Sequence, residues 1–345
     1  MSEVVVPRAE TSGGRAGEME GELPGPPPIG WGVLGASSRV AQLAMLPALA
    51  ASPKAHLVAV ASRSGSVSPS FGAESVHGSY DELLADPAVD AVYLPLPNGL
   101  HAEWAIKAAE AGKHVLCEKP LACSAEEARR MAAAFEMRGL LLAEAYMTPF
   151  HPRSTVLEDV LRSGQLGELR FAHTSFTGSL PSTDNHRWRP ELGGGVLLDL
   201  GIYCLAPLLV AAQRLPVEVV GSATIGPTGV ETSFSGWLDF GQGFRAAIEC
   251  SYEAAESQVV EVSGTEASVL VHRAFTPGPE DTTVHIRRRD GSTEDVGWRG
   301  ADPYRGLVDH VSTVLQGGDV LRWSVARSIE LLVLVDTLRA AAGRG

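Results

Sequence analysis

Residues 29–52 read IGWGVLGASSRVAQLAMLPALAAS: an apolar run, a turn of small residues, and a stretch whose apolar positions recur at helical spacing. Ile29–Leu34 predicts a buried strand and about Val40 to Ala51 an amphipathic helix, so the segment is strand, tight turn, helix. A helix opening at such a turn presents unpaired backbone N–H groups and the positive end of its dipole, which suits a pyrophosphate. The glycine pattern of a dinucleotide turn is degenerate. Gly35 can fill the position of close backbone approach, but Ser37 or Ser38 stands where a third glycine is usual, and Gly32 lies inside the strand.

Outward from this unit the same alternation repeats. A strand at His56–Ala61 follows at the spacing of a βαβ unit and ends in Ser62-Arg63-Ser64. An acidic residue there would bind the ribose 2′-OH of NAD, whereas Arg63 and its hydroxyl neighbours can hold a 2′-phosphate; this favours NADP and leaves NAD open. Residues 65–79 carry Gly, Ser and Pro where a second crossover helix would lie, so a short or irregular element is expected. Tyr80–Ala85 reads as helix, Asp90–Leu94 as strand, His101–Ala111 as helix and His114–Cys117 as strand. Ser124–Arg138 opens with a capping box, Ser124 with Glu127, and leads to a strand at Leu140–Ala145. Strands alternating with helices make an α/β, doubly wound sheet over residues 29–150.

Within it, Ala111–Pro120, AGKHVLCEKP, places Glu118 and Lys119 just past the carboxyl end of a buried strand. Ligands of open α/β sheets bind outside those strand ends, so Lys119 faces a ligand rather than bulk water; Pro120 stiffens the turn and is a candidate for a cis bond.

Before Ile29 the composition is Gly, Pro, Glu and Ser, and residues 1–28 read as a disordered tail. After His151-Pro152 the pattern becomes a short helix (Val156–Ser163) and long alternating strands near Glu168–Thr177, Val217–Ile225, Thr232–Phe240, Phe244–Tyr252, Gln258–Gly264 and Ala267–Arg273, with one helix, Val196–Ala212, among them. Consecutive strands joined by short turns predict an open, mostly antiparallel sheet, an α+β unit over 151–323. A final helix, about Ser324 to Ala342, has an apolar face suited to docking back on the first unit, giving a closing segment 324–345.

At 345 residues the chain accommodates two cores, and its net charge of −13 argues against nucleic acid or an anionic membrane as partner. The longest apolar stretches are interrupted by Glu144 and Asp199, which suits buried helices and predicts no membrane span. The first residues show no apolar signal core, which predicts a cytoplasmic location. Four scattered cysteines and ten histidines with no HxH or HxxxH spacing predict reduced thiols and no metal.

The chemistry concentrates in Glu191–Tyr203, ELGGGVLLDLGIY. Three glycines open a helix on which Asp199 and Tyr203 stand four apart, on one face, with Gly201 thinning the helix for close packing. With Lys119 they form a proton-transfer set: an adjacent ammonium favours the phenolate of a tyrosine, which can then exchange a proton with a substrate hydroxyl, while Asp199 orients the lysine or binds substrate. Read without Lys119, Tyr203 is equally a core tyrosine and Asp199 a helix-surface charge.

The ordered set of a degenerate N-terminal turn, Pro97-Asn98-Gly99-Leu100-His101, Glu118-Lys119-Pro120, and Gly193-Gly194-Gly195 with Asp199 and Tyr203 resembles the glucose–fructose oxidoreductase, inositol dehydrogenase and rhizopine catabolism family (Gfo/Idh/MocA), over nearly all of residues 29–342. The resemblance implies a Rossmann domain followed by an open antiparallel sheet domain, with the nicotinamide between them and the outer sheet face forming a homodimer or homotetramer. Tyrosine at 203 looks like the branch of dimeric dihydrodiol dehydrogenases, NADP-dependent xylose dehydrogenases and deoxysugar ketoreductases.

Carried over by motif, Lys119 and Tyr203 are the catalytic pair with Asp199 in support. Gly35, Ser37, Ser38, Arg39, Ser62, Arg63, Pro97, Asn98, His101, Glu118 and Lys119 would contact NADP, and His151, Arg187 and Trp188 are candidates for the substrate side. Serines in place of the usual glycine region and the poor second helix over 65–79 are departures that alter the adenosine pocket. The expected activity is hydride transfer between nicotinamide C4 and a carbinol or carbonyl carbon of a sugar, cyclic polyol or dihydrodiol. A nucleotide-deoxysugar ketoreductase is the alternative, with Arg153, Arg187 and Arg189 as possible anion contacts; a non-catalytic sugar or dinucleotide sensor and redox-assisted glycoside hydrolysis are more distant readings.

Overall fold

The computed structural model describes residues 25–62, 71–180, 185–276 and 282–343. Most of the expected tail, residues 1–24, lies outside them, as does Arg63 with residues 64–70; Pro27 is held by a 2.9 Å hydrogen bond from the Gln316 amide.

The first sheet grows from the opening stretch. β1 (Ile29–Leu34) is buried from its second residue on, and β2 (Ala55–Ala61) pairs with it in parallel, Ile29 opposite Ala55. Between them the helix is split into a π-turn at Ala41–Met45 and α1 (Leu46–Ala51), with Pro47 in the first turn of α1. The described part of the irregular stretch, from residue 71, contains a three-residue strand, β3 (Ser75–His77), where the alternation predicts a short or irregular helix. α2 (Tyr80–Ala85), β4 (Ala91–Leu94), α3 (His101–Glu110), β5 (His114–Glu118), α4 (Ala125–Glu136) and β6 (Leu142–Ala145) follow the sequence reading closely. The order is β3-β2-β1-β4-β5-β6, all parallel, so the chain reverses direction across the sheet between β1 and β4. β4, AVYL, is buried at every residue, as a strand covered by helices on both faces must be.

α5 (Pro152–Arg162) then leads into the second sheet. Its strands are β7 (Leu169–Thr177), β8 (Glu218–Ile225), β9 (Glu231–Asp239), β10 (Arg245–Ser251), β11 (Ser257–Gly264), β12 (Ala267–His272), β13 (Thr282–Arg288) and β14 (Thr293–Trp298), in the order β14-β13-β12-β11-β7-β10-β9-β8. Pairing is antiparallel except between β7 and β10. β9 alternates buried and accessible residues along its length, so one face is packed and the other is open. The packed face is covered by a π-turn at Leu197–Gly201 continuing as α6 (Ile202–Ala212), a segment whose apolar window is 72% buried and therefore a core helix.

Besides β3, three elements fall outside the sequence reading: β13, β14 and α7 (Pro303–Leu315). α8 (Val325–Ala342), capped by Ser324, joins the two halves. Asp336 accepts the Ala125 amide at the start of α4 at 3.0 Å, and Arg339 donates to Glu231 of β9 at 2.6 Å. Gly221 and Gly236 stand opposite each other on β8 and β9, and a Cβ on either would press on Leu338 of α8, so the glycine pair is a notch for that helix.

Candidate active site

Lys119 leaves β5 at the carboxyl edge of the first sheet, and its bond to Pro120 is cis. The preceding Glu118 is buried. Its Oε1 accepts the Tyr93 hydroxyl at 2.6 Å and its Oε2 the Lys119 amide at 3.1 Å. Burial pushes this carboxyl up in pKa against the opposing pull of the Tyr93 hydrogen bond and the Lys119 charge. The Lys119 side chain crosses to the second half of the chain, where Nζ donates to the Asp199 backbone oxygen and to Oδ1, both at 2.9 Å.

Asp199 is the node of the cluster. Oδ2 accepts Arg187 Nε at 2.6 Å and the Tyr252 hydroxyl at 3.2 Å. Burial alone would raise this carboxyl, but the charges of Lys119 and Arg187 outweigh it and hold the group well below the usual carboxylate range. Asp199 is therefore a fixed anion with its oxygens occupied, and trades no proton near neutral pH.

The three glycines explain how the node is built. Gly193 is left-handed at φ 72° and Gly195 stands at φ 114°, backbone that side chains disfavour. The Gly195 amide donates to the Arg187 carbonyl at 3.0 Å and that of Gly194 to the Arg189 carbonyl at 2.9 Å, folding residues 187–189 back over the helix start. The π-turn then carries Asp199, and Tyr203 follows in α6, so both meet Lys119. A Cβ on Gly201 would lie 2.6 Å from Leu197 and 3.5 Å from Cys250 of β10, consistent with close helix–sheet packing.

Tyr203 departs from expectation in one respect. Lys119 Nζ sits over its ring, 4.8 Å from the centroid, and the hydroxyl faces Met147 Sδ at 3.8 Å rather than the ammonium. Burial, with the charges of Glu118 and Asp199, pushes the phenol well above its ordinary value. The phenolate anticipated from sequence is thus corrected to a neutral phenol: the ammonium is committed to Asp199, and nearby carboxylates oppose ionisation. The ring is clamped by Tyr146, Phe176 and Phe275 at 5.5, 5.4 and 5.7 Å.

The residues named for a dinucleotide divide into two groups. Gly35 has φ 87°, and a Cβ there would approach the Leu96 side chain to 2.8 Å, so the turn ending β1 leaves no room for a side chain at this position. Ser37 and Ser62 share a hydroxyl contact at 3.2 Å across the ends of β1 and β2, Ser38 Oγ accepts the Ala41 amide at 3.2 Å, and helical backbone begins at Arg39. These groups fit a pyrophosphate and ribose at a helix start.

Asn98 and His101 have other tasks. The Asn98 amide donates to the Gly193 carbonyl at 2.8 Å, and Gly99 lies where a Cβ would sit 2.9 Å from the Glu191 carbonyl, so the loop after β4, opened by Pro97, seats the three-glycine turn. His101 is fully buried, with Nδ1 2.9 Å from the Pro120 oxygen and Nε2 2.8 Å from the Leu96 oxygen. It is corrected from a cofactor contact to a positioning residue, because a ring with no accessible surface and both nitrogens on backbone carbonyls joins the loop after β4 to the turn after β5.

Two substrate candidates are likewise corrected. His151 is buried at the start of α5, its Nδ1 accepting the Arg153 amide at 3.1 Å, and burial brings its pKa down to about 4. Trp188 is buried against Tyr252, ring centroids 5.9 Å apart. Arg187 is in the cluster, although Asp199 takes its charge. Arg153 points inward, donating to the carbonyls of Arg273 and Ala274 at 3.0 and 2.5 Å, and Arg189 is exposed.

Three site residues escape the sequence reading. Tyr252 braces Asp199 from the end of β10, and its hydroxyl also reaches the Gly195 carbonyl at 3.1 Å. Tyr93 fixes Glu118 from the neighbouring strand. His186, beside Arg187, is half-buried; burial first and the Arg187 charge second bring it down to about 4, so it stands neutral near Lys119 and Asp199.

Residues 29–146 match the family model for the GFO_IDH_MocA oxidoreductase family, NAD-binding Rossmann fold, and 155–270 match the GFO/IDH/MocA C-terminal domain. D-xylose 1-dehydrogenase (NADP(+)) 2 of Haloferax volcanii is 33% identical over 91% of this chain and 98% of its own length. The dTDP-3,4-didehydro-2,6-dideoxy-alpha-D-glucose 3-reductase of Saccharopolyspora spinosa is 38% identical over 84% of this chain and 89% of its own length. Among solved structures, a 3-ketoreductase from Actinomadura kijaniata in complex with NADP and TDP-benzene superposes with a TM-score of 0.83 at 33% identity, covering 91% of this chain and 98% of that one.

Proposed function

The chain belongs to the GFO/IDH/MocA oxidoreductase family, and from that premise we propose the roles of its residues in an NADP-dependent hydride transfer at a carbinol or carbonyl carbon of a sugar, cyclic polyol or dihydrodiol. The observation that carries the assignment is the Lys119–Asp199–Arg187 cluster beside a buried, neutral Tyr203, between the carboxyl edge of one sheet and the packed face of the other. When bound, NADPH supplies the hydride from nicotinamide C4.

The chain's own groups do the rest. In the reductive direction the Tyr203 phenol gives its proton to the substrate oxygen, and burial keeps that proton in place until a stronger base develops beside it. Lys119 stabilises negative charge on the same oxygen; Asp199 cannot relieve it of its proton and so acts as its anchor. Lys119 is the cation that faces the ring of Tyr203, and its positive charge has the sign a developing alkoxide requires. The Gly35–Arg39 turn, Ser62 and Pro97 would hold the dinucleotide, with Glu118 and Lys119 at its nicotinamide end, while Arg63, outside the described residues, is proposed as the 2′-phosphate contact.

Simple sugars and diols are favoured over nucleotide sugars because two of the three arginines weighed for a diphosphate are spent, Arg153 on carbonyls and Arg187 on Asp199. The second reading, a nucleotide-deoxysugar ketoreductase, is favoured by the 38% identity to the Saccharopolyspora enzyme. The open face of the second sheet carries Val220, Trp237 and Phe171 at 55%, 36% and 45% exposure, and is proposed to join subunits into a homodimer or homotetramer of a cytoplasmic enzyme.

Turnover tests the assignment: NADP+ reduction with aldoses, inositols and dihydrodiols, NADPH oxidation with keto sugars and a TDP-hexulose. Turnover of one class that is lost in Tyr203→Phe supports these roles. Activity surviving Lys119→Met combined with Tyr203→Phe overturns them, and turnover of the TDP-hexulose alone selects the second reading.

A further inference from the structure

We propose that the cleft between α5, α6 and the start of α8 binds a compact amphiphilic carboxylate, an aryl or branched-alkyl acid with one negative charge. The cleft does not depend on the hydride-transfer chemistry. Its apolar part is lined by Leu157, Leu161, Pro207, Val210, Phe275 and Trp323, and the adjoining polar part by Arg162, Arg214, Arg327 and Glu330, with Val210, Trp323 and Arg327 shared by the two. The apolar part holds about 60 Å³ and the adjoining polar part about 160 Å³, so one ring or a branched alkyl group with its head group fits only by spanning the two.

Charge selects the head group. In a chain of net charge −13, four arginines (162, 214, 322 and 327) and two glutamates (158 and 330) line this region. Glu158 is taken by Arg162 at 3.2 Å and Arg322 at 3.6 Å, and Arg214 donates to the carbonyls of Phe240 and Gly241. Arg327 lies over the Trp323 ring at 5.8 Å, and among the described residues its guanidinium has no carboxylate or carbonyl partner. One uncommitted guanidinium at the rim of an apolar cavity calls for one carboxylate, which it can bind through two parallel N–H donors. Glu330 shares the polar part and opposes the same anion, so two charges of opposite sign bracket the site and make the idea testable in both directions.

The cavity is also one ring away from the candidate active site. Tyr146 and Phe275 line it, and both pack on Tyr203. A bound acid would therefore rest against the wall that holds the phenol.

Calorimetric titration of the full chain with benzoate, against benzyl alcohol and acetate as probes lacking the charge or the ring, tests the site. Saturable benzoate binding, with both controls weaker, is expected. Arg327→Gln should weaken it about tenfold and Glu330→Gln should tighten it a few-fold, as loss of a charged hydrogen bond and of a like charge requires. Val210→Trp, which fills the cavity, should abolish benzoate binding while NADPH still binds. Benzoate binding that does not saturate, that is equal in Arg327→Gln, or that NADPH displaces overturns the proposal. NADPH binding and turnover on the same samples report separately on the oxidoreductase reading.

Discussion

Asp199 and Glu144 are both carboxylates buried where the two halves of the molecule meet, and the charge of Lys119 reaches both, yet they are driven in opposite directions. Asp199 is surrounded by Lys119, Arg187 and one phenol, and stays ionised. Glu144 receives the Leu121 amide at 2.8 Å, the Trp323 indole at 3.0 Å and the Ser328 hydroxyl at 2.5 Å, and burial prevails over these neutral donors to raise its pKa. The difference teaches how one interface houses both chemistry and architecture. Cations hold a carboxylate charged, and a charged carboxylate aims a lysine; neutral donors are the direct partners of a carboxyl group that ties β6 to the start of α8.

The sharpest way to break the comparison is to remove the lysine. Lys119→Met should lower kcat on the order of a thousandfold in steady-state assays, since both the developing oxyanion and the proton transfer lose their partner. Asp199→Asn comes next, with a loss on the order of a hundredfold in kcat and a smaller change in KM, because the ammonium loses its anchor while cofactor groups are untouched.

Acid unfolding separates the two carboxylates by sign. Asp199, lowered in the folded state, contributes stability that is present above its unfolded pKa of about 3.9 and is lost as pH falls toward the folded value. Glu144, raised in the folded state, contributes stability that is present below its unfolded pKa of about 4.3 and declines as pH rises through its folded value. Denaturant titrations from pH 3 to 7 should therefore show Asp199→Asn flattening the rise of stability with pH and Glu144→Gln flattening the decline; equal slopes for both variants would refute the distinction. The smallest effect is Tyr252→Phe, which removes the hydroxyl shared between Asp199 and the Gly195 carbonyl and should cost about 1 kcal/mol of stability and a few-fold in kcat.

Much of this site was legible because its charged members sit in compact strings. Glu118-Lys119-Pro120 lies at a strand end, and Asp199 and Tyr203 stand four apart after three glycines; pattern alone puts a lysine and an acid at sheet and helix ends. Tyr252 was invisible by the same logic, being 53 residues from Asp199 at the end of a strand whose alternation gives it no special mark. His101 and His151 misled because a polar residue beside a strand end or a proline reads as ligand-facing, whereas both rings satisfy backbone at the ends of helices. Among the elements, β14 has no buried residue and is an edge strand, so hydrophobic alternation had little to register. α7 did carry a signal, Asp302 before Pro303, and the structure shows the aspartate accepting the Tyr304 and Arg305 amides as a cap.

α8 bears on the order in which the molecule can be made. It caps α4 through Asp336, grips β9 through Arg339, and leaves Ser328 on Glu144, all within one 18-residue helix. The first sheet can pair its strands as they emerge, but part of what binds it to the second comes from a segment synthesised after both. Lys119 on Asp199 and Asn98 on Gly193 are formed by residues made before that helix, so α8 is the last part to join a junction already begun.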